Sequence, residues 1–136
     1  MKKRVLSILL VAVLLVTLAV PATAASVSQF TDVKPGAWYY NAVDYVTQKG
    51  LFAGTSTTTF SPDNNMTRAM FVTVLGRLSK VDTGRYKGVR FEDVNAKQYY
   101  APYEECAATY GSVKGTSTTK CSPNDPITRE QHATIL

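Results

Sequence analysis

This 136-residue chain is poor in the side chains that most protein chemistry uses: it has two cysteines, one histidine and one tryptophan, and 18% of its residues are charged. One histidine and two cysteines make a weak donor set for zinc, which takes four such ligands at a structural site. Neither a metal nor a cofactor is expected. No nucleophile, base or acid recurs or clusters, so no enzymatic activity is expected either. Asp32 and Asp93 can be imagined as a carboxylate pair for glycoside hydrolysis. Each instead stands between an aromatic and a valine at the start of a helical hairpin, which suits a structural turn residue or an arginine partner.

Long apolar runs are also scarce. The stretch from Val5 to Val20 follows Lys2, Lys3 and Arg4 and leads into Pro21-Ala22-Thr23-Ala24. It is shorter than the ~20 residues of a spanning helix, and residues 1–24 read as a secretory signal peptide. No stable membrane insertion is expected after cleavage, and no cysteine follows the cleavage site to carry a lipid. Removing these residues takes three of the fifteen Lys and Arg and none of the ten Asp and Glu, leaving a net charge of +2 in place of +5. Such a balance does not suit a nucleic-acid partner.

What the chain does have is a repeat. Phe30 to Leu75 recurs without a gap as Phe91 to Leu136, 61 residues on. Phe30-Thr31-Asp32-Val33 meets Phe91-Glu92-Asp93-Val94; Trp38-Tyr39 meets Tyr99-Tyr100; Gly50 and Gly54 meet Gly111 and Gly115; Ser61-Pro62 meets Ser122-Pro123; and Met66-Thr67-Arg68 meets Ile127-Thr128-Arg129. A unit unable to bury its apolar face alone stacks on its neighbour. The organisation expected is a first repeat over 30–78, a linker over 79–90 and a second repeat over 91–136. The second stops inside an apolar pattern that the first continues through Gly76-Arg77-Leu78, so it is expected to be truncated.

Each unit reads as helix, irregular loop, helix. From about Ala37 to Lys49, Tyr39, Val43 and Val46 fall at i, i+4 and i+7 with Ala42 beside them, and Gly50 suits the left-handed residue that closes such a helix. Thr, Ser, Gly, Pro and Asn crowd the stretch from Leu51 to Asn65, predicting a loop whose Phe52 and Phe60 tuck back onto the helices. Thr67 is the expected N-cap of a second helix with Phe71, Val74, Leu75 and Leu78 on its inner face, and Thr128 with Gln131 fits a capping box.

Arg68 and Arg129 follow those caps, where the helix field disfavours a cation by roughly 0.3–1 kcal/mol. Each needs a compensating anion: an internal one, with Asp32 or Asp93 as candidates, or an external one held by the guanidinium and the free N–H groups of the helix start. The aromatics leave two readings as well. Trp38, Tyr39, Tyr40, Tyr99 and Tyr100 could stack on sugars or belong to the core; the division expected is Tyr39 and Tyr100 packed, Trp38 and Tyr99 nearer a groove. Cys106 and Cys121 align with bulky Tyr45 and Phe60, so both can face one interior and could form a disulfide, which spacing alone does not show. His132 aligns with Phe71 and reads as a core substitution rather than a ligand or a base.

The series Phe-x-Asp-Val, Trp-Tyr, Gly, Gly, Phe-Ser-Pro, Thr-Arg-Ala resembles S-layer homology (SLH) repeats, twice over nearly all of the chain after residue 24. The resemblance implies a mainly α fold in which tandem helix-loop-helix repeats, usually three, pack as a pseudo-threefold helical bundle. It also implies a secreted protein held non-covalently at the cell wall or S-layer surface of a Gram-positive-type bacterium. The partner implied is secondary cell-wall polysaccharide with acidic, pyruvylated sugars; peptidoglycan, other SLH repeats and a C-terminal cargo domain are alternatives, and a self-assembly role belongs to a different class. Carried onto this sequence, Thr67-Arg68 and Thr128-Arg129 would meet the sugar carboxylate, with Trp38 and Tyr99 flanking the groove and Asp32 and Asp93 positioning the arginines. The second copy departs from the pattern at Tyr99, Cys121, Glu130 and Gln131, and the first at Met70.

Overall fold

A computed structural model describes residues 26–136; the signal-peptide reading of residues 1–24 lies outside the described residues. Among the described residues four α-helices follow in order, α1 (Tyr40–Gln48), α2 (Arg68–Leu78), α3 (Ala101–Thr109) and α4 (Arg129–Ile135), with 3₁₀ turns at Val27–Gln29 and Thr83–Arg85. The fold is mainly α, and among the described residues the extended backbone pairs only at an isolated bridge between Thr67 and Pro126. No helix among the described residues is long and apolar enough to cross a membrane. The helices keep the register of the sequence repeat: α3 begins and ends 61 residues after α1, and α4 begins 61 after α2.

Helix boundaries follow local chemistry. Gly50 takes φ +67° and Gly111 φ +73°, the left-handed conformation that ends α1 and α3. At α1 the Gly50 and Leu51 amides donate to Thr47 O and Val46 O, capping carbonyls that the helix leaves open. Thr67 accepts the Met70 amide at 3.2 Å, and Thr128 with Gln131 forms the full capping box. The inner faces differ from those expected. In α1, Val43 and Thr47 are buried while Ala42 is exposed; Thr47 can be buried because its hydroxyl donates to Val43 O at 2.8 Å. In α2 the buried residues are Arg68, Ala69, Val72 and Thr73, whereas Phe71, Val74 and Leu75 are half-buried and Leu78 is exposed. The reason is that α2 turns this face to the second copy, packing on α3 so closely that Gly76 lies against the Tyr103 ring.

The loop joining the helices of each copy is held by one aspartate. Asp32 Oδ1 accepts the Phe60 amide at 2.9 Å and its Oδ2 the Ser61 amide at 2.7 Å. Asp93 repeats this with Cys121 and Ser122 at 2.9 and 2.8 Å. The pair of bonds fixes Ser61 and Ser122 at φ +60° and +54°, where a side chain costs roughly 1–3 kcal/mol. The Thr55 hydroxyl bonds that of Ser61, and the Thr116 hydroxyl that of Ser122, both at 2.7 Å. The Phe60 amide foremost, then that of Ser61, holds the Asp32 carboxyl below its usual value. Burial opposes ionisation of Asp93, and the Cys121 and Ser122 amides outweigh it. Among the described residues neither aspartate pairs with an arginine, so the internal candidate for the arginine's partner is not formed: the aspartates bond backbone amides of their own copy.

Two apolar clusters result. Val27, Phe30, Val33 and Val43 gather with Tyr39, Tyr40 and Phe60 in the first copy, and Phe60 meets Phe30 and Phe52 at ring distances of 5.5 and 5.9 Å. The larger one joins Ala69 and Val72 of α2 to Phe91, Val94, Tyr100, Ala101, Ala108, Val113 and Cys121 of the second copy. Burying each side chain the size of Val72 or Phe91 is worth about 1.5–3 kcal/mol, so much of the second copy's stability depends on a helix from the first. At the end of the 79–90 linker, Arg90 donates to Ala108 O at 3.0 Å and lies 3.8 Å from Glu105.

Two outcomes are expected from this architecture. Gly54 has φ +77°, and a Cβ there would sit 2.5 Å from the Phe30 ring and 2.6 Å from Thr59 O; Gly54→Ala should cost about 1–3 kcal/mol in urea unfolding, and an unchanged midpoint would contradict the close approach. Because both aspartates titrate below the ordinary 3.8, their contribution is present above that value and is lost as pH falls through their folded values. The doubly substituted Asp32→Asn, Asp93→Asn chain should therefore lose less melting temperature than the parent between pH 4 and pH 2.

Candidate functional site

Arg68 does not face solvent. It is 4% exposed, and its guanidinium enters the second copy, where Nε donates to Cys121 O at 2.9 Å and Nη2 to Lys114 O at 3.3 Å. The first amides of α2 point the same way: Arg68 N reaches Asp125 O and Ala69 N reaches Pro123 O, both at 3.0 Å. Four carbonyl oxygens of one loop thus receive the guanidinium and the positive end of the helix together. They supply the negative partner that the sequence calls for, and they replace both the aspartate and the external anion at this position. Pro123 and Asp125 carbonyls occupy the amides that an anion would need.

Behind Arg68 lies a buried acid. Glu104 is 1% exposed and accepts the Cys121 thiol at Oε2, 2.8 Å away. Burial raises the Glu104 carboxyl above its usual value, against the Cys121 hydrogen bond and the Arg68 charge. Burial, then the bond to Glu104, pushes the Cys121 thiol up to about 12. Cys106 and Cys121 are both free and buried, which corrects the disulfide: Cys121 is turned to Glu104, while Cys106 faces the Tyr86 phenol. His132 packs edge-on against Phe71, its counterpart in the first copy, with ring centres 4.2 Å apart.

One open groove, of about 470 Å³, is lined by the first copy and by Tyr99 of the second. The 51–66 loop supplies Phe52, Thr55, Phe60, Ser61, Asn64 and Asn65; α2 supplies Met70 and Arg77; and the second copy contributes Tyr99. The groove's lining mixes aromatic and sulfur-bearing side chains with amide, hydroxyl and guanidinium groups, the kind of mixture found in small-molecule sites. Burial raises the Tyr99 phenol, and the Arg77 charge opposes the shift.

The residues singled out from the sequence separate on this framework. Tyr99 reaches the groove and is 54% exposed, and Trp38, 94% exposed, stands against Tyr39 with ring centres 5.5 Å apart. Tyr100 is buried and Tyr39 half-buried, as expected of the packed pair, whereas Trp38 is not among the residues lining the groove it was expected to flank. Thr67 and Thr128 cap helices, Asp32 and Asp93 clamp loops, and Arg129 lies exposed at the start of α4. Arg77 was not legible as a site residue: its counterpart would fall past Leu136, so comparing the copies gives it no signal.

The S-layer homology domain model matches residues 29–70. The surface-layer 125 kDa protein of Lysinibacillus sphaericus is 34% identical over 115 residues, 79% of this chain and 9% of that protein. An endoglucanase of Bacillus sp. (strain KSM-635) is 34% identical over a 142-residue alignment covering 98% of this chain and 15% of the enzyme. The cellulosome-anchoring protein of Acetivibrio thermocellus is 31% identical over 111 residues, 79% of this chain and 25% of that protein. The chain therefore spans a quarter or less of the length of each of these relatives.

The two equivalent arginines should respond differently to truncation. Arg68→Ala leaves the Cys121 and Lys114 carbonyls without a donor and Glu104 without its neighbouring charge, and should cost about 3 kcal/mol in denaturant unfolding. Arg129→Ala should change stability by less than about 0.5 kcal/mol. Equal losses would contradict the placement of Arg68 between the copies.

Proposed function

The chain belongs to the S-layer homology domain proteins through residues 29–70, and on that premise we propose that it holds an exported protein at the bacterial cell wall by binding acidic secondary cell-wall polysaccharide. Domains of this kind occur in surface-layer and cellulosome-anchoring proteins, which supports attachment at the cell surface as the shared role. The observation that carries the glycan reading is the groove whose lining combines the aromatic rings of Phe52, Phe60 and Tyr99 with the polar side chains of Asn64, Asn65 and Thr55. Aromatic faces suit the C–H surfaces of a sugar ring, and amides and hydroxyls suit its hydroxyl groups. Trp38 offers a further stacking face outside the groove. The role is binding without chemistry, and the repeats over 30–78 and 91–136 act as one unit because α2 belongs to the core of the second.

Association with another repeat is a second reading, favoured by Arg129. It occupies the position of Arg68, yet among the described residues it has none of Arg68's carbonyl partners. A mass that rises with concentration in light scattering would support it.

Co-sedimentation with purified sacculi, before and after acid extraction of their secondary polysaccharide, tests the proposal. Binding should be present before extraction and lost after it, and Tyr99→Ala should weaken it about tenfold, the scale of one lost stacking contact. Binding that survives extraction would assign the partner to peptidoglycan, and a folded chain that binds neither preparation would overturn glycan anchoring.

A further inference from the structure

We propose that Arg77 is the residue that takes the carboxylate of the acidic glycan, an inference that rests on the glycan reading above. Among the described residues it is the one charged side chain lining the groove. Its Nη1 donates to Leu51 O at 3.0 Å, and no Asp or Glu among the described residues forms an ion pair with it. A guanidinium has five N–H donors, so a paired edge remains for a bidentate carboxylate. The bond to Leu51 fixes the fork before any ligand arrives, which lowers the ordering cost of binding.

The helix field supports the assignment. Arg77 is in the last turn of α2, where the negative end of the macrodipole favours a cation. Arg68, at the opposite end of the same helix, has two of its three nitrogens committed to carbonyls and is 4% exposed. Arg77 is half-buried, partly shielded from bulk water, and its charge reaches the Tyr99 phenol. A carboxylate in the groove would therefore meet Arg77 and the Tyr99 hydroxyl together, with the sugar ring against the aromatic wall. One helix thus carries two arginines with separate tasks: the first joins the copies, and the second reads the charge of the ligand.

The test is a titration of the chain with polysaccharide released from sacculi, native or with its carboxyl groups reduced to alcohols, using the parent, Arg77→Lys and Arg77→Ala. For the native polymer, Arg77→Ala should weaken binding by about 10- to 100-fold, the range of a hydrogen bond to a charged group, and Arg77→Lys by less. Carboxyl reduction should weaken the parent by a similar factor and leave Arg77→Ala nearly unchanged. That absence of additivity is a readout that simple destabilisation would not produce. If Arg77→Ala binds like the parent, or loses as much again on carboxyl reduction, Arg77 is not the carboxylate ligand and glycan binding stands. If the parent itself ignores both polymers, the glycan reading falls and this assignment falls with it.

Discussion

The structure depends on the seating of one helix start in the next repeat. Arg68 and the first two amides of α2 meet four carbonyl oxygens of the 114–125 loop, and the rest of α2 follows them into the second copy's core. A cation at a helix N-terminus is ordinarily unfavourable. Here the surrounding carbonyls make it favourable by accepting guanidinium and helix amides alike. The arrangement is also directional, because backbone carbonyls fix both distance and angle, so it sets the register of one repeat on the other.

That seating requires a loop of defined shape, which the aspartate clamp provides. Asp93 holds the Cys121 and Ser122 amides, and this turns the Cys121 carbonyl toward Arg68 Nε. The same residue's thiol faces Glu104. A clamp within one repeat therefore prepares the contact between repeats, and the clamp in the first copy shapes the 51–66 wall of the groove. The two ends of α2 are used differently: its N-terminal end is consumed by the fold, while Arg77 at its C-terminal end lines the groove.

Much of this was legible in the residues, but unevenly. Helix starts at Thr67 and Thr128 and stops at Gly50 and Gly111 follow from side-chain capping and glycine's freedom at positive φ. The inner faces of the helices were harder. Phe71, Val74 and Leu75 are more apolar than Arg68 and Thr73, yet the latter are more deeply buried, because satisfied hydrogen bonds allow polar groups into an interface that hydropathy alone would reserve for leucine. The question of a disulfide stayed open in the sequence for a related reason: alignment with two bulky positions places both cysteines inside, but gives no direction to either thiol.

By itself the sequence determined the 61-residue repeat, the helical class, the caps, and the resemblance to wall-anchoring repeats, since each is written in neighbouring residues or in identities that recur. Only the tertiary structure decided what Arg68 is for. Its partners lie 46 and 53 residues away, and no local rule states which carbonyls a folded loop will present there. The same holds for the groove, where Tyr99 closes a wall built from the 51–66 loop and α2. A helix start is set by the residues beside it, whereas a site is set by which segments meet, and that depends on packing across the whole chain.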